Sequence, residues 1–341
     1  MARINLLTIH WGRSFGAVFQ TYATCRILEN LGHKVTVINL SSPSFEKTKW
    51  KWQNIKYAIT NFHFHRFKKK YFSKLTNKGT SIADIKRPEA DVTIVGSDQV
   101  WNRDITKENA LTFFLDFVPQ NQKRISLASS FGKSVWQEDE SFSKVVKENL
   151  QKFAGITVRE SSGKEIIEST FDGIATQVLD PTLALGNFED LIDKKQNISQ
   201  IYPFILCNKQ EEYDIVNEIS LLLDIKVFKR NYLNVYLNNS PKVWLNRIRN
   251  SEFIVTDSFH GLAFSILFHK QFFVLCGDPH KFTRIQSCLE LFGLQDRFVK
   301  NKEDLHTRWN ELSLPIDYDN VDVILRRERE VLTKFLKEKI D

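Results

Sequence analysis

The residue best suited to acid–base chemistry is His260, in the stretch TDSFHG at residues 256–261. This stretch follows an apolar run at 253–256 and precedes a predicted helix at 261–268. A histidine at such a junction can serve as a general acid or as an anion ligand, because its ordinary pKa lies near neutrality. We therefore predict a functional His260, with Ser258 and Gly261 beside it; a structural histidine is the alternative.

A second cluster follows the predicted strand at 92–95. Its polar members stand within one short stretch: Ser97, Asp98, Gln99 and Asn102. Asp98 could accept a proton or bind a substrate hydroxyl, and the alternative is that it caps the next helix. Because parallel α/β sheets bind ligands at the carboxyl ends of their strands, we place these residues at a cleft edge.

Arg159 follows another apolar run, at 156–158. Its planar guanidinium suits a carboxylate or a phosphate, and the alternative is a surface arrangement with Glu160. A polar loop at 10–16 precedes a predicted helix at 17–31, where backbone N–H groups could meet an anion. It is neither GxGxxG nor a Walker loop, so it gives only a weak nucleotide signal. Gly16 and Gln20 complete the predicted cleft residues.

No metal site is predicted. The four cysteines form no CxxC pair and lie in apolar surroundings, which is typical of buried thiols in a reducing compartment. His63 and His65 form an HxH pair without a third ligand. The DYD sequence at 317–319 is interpreted as a helix cap.

Strands and helices alternate along the chain. Predicted strands fall at 4–9, 34–40, 92–95, 125–128, 156–158 and 177–179, and then at 204–207, 226–229, 253–256 and 272–276. Predicted helices intervene at 142–153, 163–169, 211–222 and 241–249. This pattern predicts two Rossmann-like, doubly wound α/β domains at 1–183 and 184–320, joined at Asp180-Pro181 and followed by an amphipathic helix at 321–341.

The composition is that of an ordinary globular protein. The chain has 341 residues, 42% of them hydrophobic and 26% charged, and only 8 Pro and 13 Gly, which excludes a disordered or fibrous chain. No apolar run approaches ~18 residues, and the N-terminal run is too short for a signal peptide. We expect a cytoplasmic protein that is able to bind the inner face of the membrane.

The net charge of +7 has a local origin. Residues 45–78 hold ten basic residues and one acid, so this segment contributes +9 and the remaining chain −2. Aromatic residues interleave with the basic ones. We call the segment 45–79, which interrupts the first predicted domain, the basic excursion. It is predicted to dock on an anionic membrane or a lipid-diphosphate-linked sugar, and the alternative is a solvated helix whose aromatics pack on the domain. No nucleic-acid motif accompanies it.

Seven stretches, in order, resemble the polysaccharide pyruvyl transferase family. They are FGAVFQTYATCRILENLGH (15–33), VGSDQVWN (95–102), KRISLASSFG (123–132), VRESSGKEI (158–166), VLDPTLAL (178–185), TDSFHGLAFSILFHKQFF (256–273) and RIQSCLELFGLQDR (284–297). The resemblance covers the chain from end to end. It implies a GT-B-like fold, with two Rossmann-like domains facing across a cleft.

The resemblance also implies a reaction. A pyruvyl group would pass from phosphoenolpyruvate, as co-substrate, to two hydroxyls of a surface-polysaccharide sugar or its lipid-linked precursor, with release of phosphate and no cofactor. His260 would be the general acid, Asp98 would orient the acceptor hydroxyl, and Arg159 would bind the donor.

The chain departs from the family pattern where members often have RxHG, because Ser258 stands in the place of the arginine. Arg284 is our preferred replacement for that cation, ahead of Arg124, Lys281 and Arg13. Two other functions stay open: a nucleotide-sugar glycosyltransferase on the same fold, and a non-catalytic assembly protein.

Overall fold

The computed structural model describes residues 1–42, 54–229, 239–277 and 279–341, without the side chains of 54–57 and 279–281. The chain divides into two compact units. The first consists of Met1–Leu185 and Glu328–Asp341, and the second of Gly186–Arg327.

The first unit is built on a parallel sheet. Its described strands have the order β3-β2-β1-β4-β5-β6-β7, and every neighbouring pair is parallel. Their bounds are β1 Arg3–Leu7, β2 Lys34–Val37, β3 Lys74–Leu75, β4 Val92–Val95, β5 Lys123–Ser129, β6 Gly155–Val158 and β7 Thr176–Gln177. All four residues of β4 are buried, as expected of a parallel strand covered on both faces.

Helices connect these strands. They span Phe15–Asn30, Asn54–Tyr71, Arg103–Thr106, Glu140–Leu150, Ser161–Phe171 and Pro181–Leu185. Side-chain caps start several of them: Ser14 Oγ accepts from Ala17 N at 3.2 Å, and Asp139 Oδ1 accepts from Phe142 N at 2.8 Å. Such caps satisfy backbone donors that the helix itself leaves without partners.

The core of the first unit includes the end of the chain. Neighbouring strand residues such as Leu6 and Leu7 belong to different apolar clusters, because successive side chains point to opposite faces of a sheet. The cluster that contains Leu6 also contains Leu332, Leu336 and Ile340, from the helix Tyr318–Ile340. This helix begins in the second unit and ends in the first.

The second unit has a smaller parallel sheet of order β11-β10-β9-β8. Its strands are β8 Ile198–Phe204, β9 Ser251–Thr256, β10 Gln271–Leu275 and β11 Phe298–Val299. Its helices span Gln210–Leu223, Pro241–Asn250, Phe259–Leu267, Pro279–Phe292, Lys302–Thr307 and Trp309–Leu312. The predicted class, α/β with two Rossmann-like units, is confirmed.

Several predicted elements are wrong in detail. The strand expected at 204–207 lies earlier, at Ile198–Phe204, and 226–229 forms only an isolated bridge between Ile201 and Val227. Asp180-Pro181 is no linker, since Asp180 is 1% exposed and Pro181 starts a helix that packs on Phe15–Asn30. The predicted last helix is confirmed, with bounds Tyr318–Ile340. So is the cap predicted at 317–319, where Asp317 Oδ1 accepts from Asp319 N at 3.0 Å.

Part of the basic excursion, at 45–53, lies outside the described residues. The helix Asn54–Tyr71 turns Phe64 and Phe67 inward against Phe15 and Phe19, at centroid distances of 5.3 and 5.6 Å, whereas Phe62 is 60% exposed. The described aromatics therefore belong largely to the core. Among the described helices, none has the length and apolar character needed to cross a bilayer.

Candidate functional site

The first unit gathers polar side chains beyond the carboxyl ends of β4, β6 and β7. Asp180 Oδ2 accepts from Ser97 Oγ at 3.0 Å and from Arg159 Nη1 at 2.9 Å. Its Oδ1 accepts from Thr182 N at 2.9 Å and from Thr182 Oγ1 at 2.6 Å. Asp180 is thus the centre of a buried network that ties three strand ends together.

Arg159 is held inside this network. Its side chain is 2% exposed, and Glu160 Oε2 lies 3.5 Å from its Nε. Ser130 Oγ donates to the other oxygen of Glu160. Burial lowers the pKa of Arg159, but the charges of Asp180 and Glu160 outweigh it and raise that pKa overall. The surface arrangement with Glu160 is wrong, and the contacts of Arg159 favour a positioning role.

Asp98 lies in the loop between β4 and the helix Arg103–Thr106. It adopts φ +78°, a left-handed conformation that a non-glycine residue seldom takes. Its Oδ1 accepts from Gln99 N at 2.9 Å, and its carbonyl oxygen accepts from Ser130 N at 3.1 Å. The cap of the helix is Asn102, whose Oδ1 accepts from Asp104 N at 3.0 Å, so the capping alternative for Asp98 is wrong.

Gln99 and Gln20 support the loop around Asp98, whereas Gly16 lies in the helix Phe15–Asn30. The Gln99 amide oxygen accepts from Asn102 Nδ2 at 2.8 Å, and a Cβ at Gly132 would come within 2.1 Å of that oxygen. Gln20 is fully buried, and its Nε2 donates to Ile9 O at 2.9 Å. Gly16 is buried in the first turn of its helix.

A small cavity of about 150 Å³ opens where β1 and β2 end. Its polar lining includes His10, Asn39, Ser41, Lys68 and Lys78. Burial, and then the charge of Lys68, lower the pKa of His10 to about 4. The histidine is therefore neutral at pH 7, and the lysines are the cations of this cavity.

The second unit places Ser258, His260 and Gly261 at one helix start. Ser258 is the N-cap of Phe259–Leu267, and its Oγ accepts from Gly261 N at 3.4 Å. His260 is 7% exposed, in the first turn. A Cβ at Gly261 would lie 2.3 Å from Thr256 Oγ1, so only glycine lets this turn approach β9 so closely.

Asp257 ties the end of β9 to that of β8. Its carboxylate accepts from Leu206 N at 2.7 Å and from Cys207 N at 2.8 Å. Gly277, after β10, has φ +58°, and a Cβ there would meet the Asp257 Cβ at 2.7 Å. These contacts bring the ends of three strands together around one carboxylate.

A pocket of about 580 Å³ lies at the same edge of this sheet. Its charged lining is mixed, because three lysines, Lys209, Lys300 and Lys302, stand beside four acidic residues, Glu211, Glu212, Asp214 and Glu303. An anionic ligand suits the lysines at this end of a parallel sheet.

The candidate replacement cations have different positions. Arg284 is half-buried on the helix Pro279–Phe292, which contacts the helix Phe259–Leu267 that carries His260. Arg124 is 3% exposed and donates to Val118 O, whereas Arg13 is exposed. The side chain of Lys281 lies outside the described residues.

The structure groups the predicted residues within each unit. Ser97 and Arg159 share Asp180, and Asp98 occupies the loop beside them. A single active site that joins these residues to His260 stays a prediction. Sequence reasoning missed the central carboxylates Asp180 and Asp257, although each follows a strand, because it assigned the first to a linker and gave the second no role.

The structure shows an α/β protein with polar and charged side chains at the carboxyl ends of its parallel strands. A family model described as polysaccharide pyruvyl transferase matches residues 15–276. The chain belongs to the polysaccharide pyruvyl transferase family, and it is a transferase that acts on glycans.

Comparison with curated proteins gives no match. Among solved structures, the chain is similar to the glycotransferase of kitacinnamycin, at 13% identity and TM-score 0.49, covering 100% of this chain and 99% of that one. It is also similar to a putative UDP-N-acetylglucosamine 2-epimerase from Listeria monocytogenes, at 11% identity and TM-score 0.49, covering 95% and 91%. Structural similarity at such low sequence identity and TM-score gives no information about function. The assignment of the chain to its family rests on the family model that matches residues 15–276.

Proposed function

We propose that the protein transfers the pyruvyl group of phosphoenolpyruvate to two hydroxyls of a sugar, forming a ketal and releasing phosphate. The acceptor is a sugar of a cell-surface polysaccharide or of its lipid-linked precursor. The observation that carries the proposal is the family match, which spans the strand ends of both units.

The second unit suits the donor. One proton adds to the methylene carbon of phosphoenolpyruvate, which makes the neighbouring carbon electrophilic. One sugar hydroxyl adds to that carbon, and its proton restores the general acid. The bond between the carbon and the phosphate oxygen then breaks, and the second hydroxyl adds to the same carbon while its proton leaves with phosphate. His260, in the first turn of the helix that follows β9, is the proposed general acid, and Ser258, Gly261 and Arg284 contribute to donor binding.

The first unit suits the acceptor. Asp98 is partly exposed in a loop whose backbone is fixed by Ser130 and Gln99, so it can orient or deprotonate a sugar hydroxyl. Arg159, held by Asp180, keeps the neighbouring strand ends in place. The scheme requires no cofactor.

The test is phosphate release from phosphoenolpyruvate that depends on an added saccharide. We expect His260→Asn to lower kcat by about 10²–10⁴-fold, the range of general acid–base catalysis, while phosphoenolpyruvate binding by calorimetry changes little. The matched control is His269→Asn: His269 is exposed in the same unit, and its φ of +50° suits asparagine. A folded protein that binds no phosphoenolpyruvate would refute the proposed donor.

The second candidate function, a nucleotide-sugar glycosyltransferase, is supported by the size of the pocket in the second unit. Calorimetry with uridine diphosphate in parallel with phosphoenolpyruvate separates the two. Binding of the nucleotide alone would favour the glycosyltransferase.

A lipid-linked acceptor is supported by the cavity beside His10, since Lys68 and Lys78 can pair with phosphate oxygens. Arg66, Lys69 and Lys70 on the same helix are exposed and could face anionic lipid. We expect vesicles containing anionic phospholipid to retain the protein at low salt, and Lys69→Glu with Lys70→Glu to weaken retention. The same charge change at Lys334 and Lys337, exposed on the last helix, should matter much less.

A further inference from the structure

Three potential metal ligands lie close together at the carboxyl ends of the strands of the second unit, and one of them, Glu212, also lines the pocket of about 580 Å³. Cys207 follows β8, Glu212 lies in the first turn of the helix Gln210–Leu223, and Asp257 follows β9. One ligand atom from each, a thiol sulfur and two carboxylate oxygens, lies within 4.8 Å of the other two.

Glu212 provides a second, independent observation. Its side chain lines the pocket, yet the residue is only 6% exposed. Its Oε2 has no hydrogen-bond partner among the atoms that the structure describes. A buried carboxylate oxygen without a partner is costly and rare in folded proteins, so this atom requires an explanation.

The neighbouring carboxylate makes that cost larger. Asp257 is fixed against the cluster by the N–H groups of Leu206 and Cys207. Burial, and then the Asp257 charge, raise the pKa of both Glu212 and Cys207, although the charge of Lys209 partly opposes the shift in each case. A cation would relieve the repulsion among these groups and give Glu212 Oε2 a ligand.

We propose that Cys207, Glu212 and Asp257 bind a divalent ion of the zinc type, whose remaining coordination position opens into the pocket. A thiolate with carboxylates favours zinc or cobalt, whereas magnesium and calcium prefer oxygen ligands throughout. Three protein ligands with one open position are typical of a zinc site that also binds a ligand, and a carboxylate or phosphate oxygen suits that position. This inference goes beyond the proposed function, whose scheme uses no metal.

Protons must leave when the metal binds. The metal binds the thiolate of Cys207 and the carboxylate of Glu212, so any proton on either group is released on binding. Metal affinity therefore increases with pH. Titrations in two buffers of different ionisation enthalpy measure the protons released.

The test uses the full-length, tag-free chain, freed of metal with a chelator and titrated with Zn²⁺ and with Co²⁺. We expect one ion per chain, proton release, and a thiolate-to-cobalt charge-transfer band in the near-ultraviolet. Cys207→Ser should abolish the band and weaken binding at least tenfold. The matched control is Cys276→Ser, which changes a thiol that lines the pocket but lies outside the proposed ligand set, and should keep both the band and the affinity.

Glu212→Gln keeps the shape of the side chain and serves as a second variant, with circular dichroism to verify the fold. We expect it to lose at least tenfold in Zn²⁺ affinity while its secondary structure is retained. Absence of stoichiometric binding to the wild-type protein would overturn the proposal. So would a charge-transfer band that survives Cys207→Ser, or a Glu212→Gln variant that binds zinc as tightly as the wild type.

Discussion

Replacing Asp180 with asparagine tests whether one carboxylate holds the first unit together. The substitution preserves the shape of the side chain and an oxygen that can accept from Thr182. It removes the charge that faces Arg159 and replaces an acceptor oxygen with an NH₂ group, which cannot accept from Ser97 or Arg159.

The expected loss follows from burial. The side chains of Arg159 and Asp180 are 2% and 0% exposed, so water cannot replace the lost partner. Removing one member of such a buried pair costs about 3–5 kcal/mol. Glu160 remains 3.5 Å from the guanidinium, which places the expected loss near the lower end of this range, at about 3 kcal/mol. For a unit of this size, that corresponds to a decrease in Tm of about 6–12 °C.

Urea unfolding monitored by circular dichroism, together with scanning calorimetry, measures the change. The matched control is Asp172→Asn, because Asp172 pairs with Lys147 at 2.6 Å but is 76% exposed. We expect that variant to lose less than about 1 kcal/mol, as exposed pairs do. A double-mutant cycle with Arg159→Met should give a coupling energy of more than about 1 kcal/mol.

A loss below about 1 kcal/mol for Asp180→Asn, equal to that of Asp172→Asn, would refute the assignment of Asp180 as the centre of the network. A large loss with no coupling to Arg159 would show that Ser97 and Thr182, rather than the ion pair, carry the effect.

Three further predictions concern the other unit and the His10 cavity. Gly261→Ala should lower the free energy of unfolding by about 1–3 kcal/mol, because its Cβ would overlap Thr256, as urea unfolding would show. Tyr318→Phe should cost about 1–2 kcal/mol by the same measurement, because the Tyr318 hydroxyl donates to the carbonyl of Lys270. Acidification should destabilise the protein through His10, whose pKa of about 4 in the folded state lies below the ordinary 6.5. The stabilisation is complete above pH 6.5 and is lost as the pH falls toward 4. Unfolding measured as a function of pH should show a loss of about 2 kcal/mol at pH 5.

Each of these has a control. If the clash is the cause, Thr256→Ala combined with Gly261→Ala should cost less than the sum of the two single changes. Tyr213→Phe removes an exposed hydroxyl that donates to Asn208, and should cost less than Tyr318→Phe. His10→Gln should flatten the pH dependence between 6.5 and 4; an unchanged slope would contradict the buried, neutral histidine.

The strands of both sheets could be predicted to a large extent from the sequence. Buried parallel strands read as continuous apolar runs, which is how β4 and β9 were placed. The run at 204–207 is equally apolar, but Asp257 accepts from the N–H groups of Leu206 and Cys207 and so ends the strand at Phe204. No local pattern reveals that competition, because the acceptor lies far along the chain.

The candidate site could be predicted only in part. His260 and Asp98 could be proposed as site residues because polar residues after an apolar strand are a local signal, and their roles stay predictions. The partners of Arg159 were not found, because Asp180 precedes a proline and resembles a linker residue until the fold buries it. Glu212 gave no signal either, since it stands in a run of acidic residues typical of an exposed helix start.

The helix Tyr318–Ile340 gives the chain an order of assembly. Leu332, Leu336 and Ile340 complete an apolar face of the first unit, whose other residues precede Gly186. During synthesis at about 5–20 residues per second, Gly186–Arg327 is made between the two parts, so this face stays open for about 7–28 s. The first unit is therefore synthesised first, but its apolar face is covered only after the last helix has been made. We expect a nascent chain with that face exposed to bind a ribosome-associated chaperone.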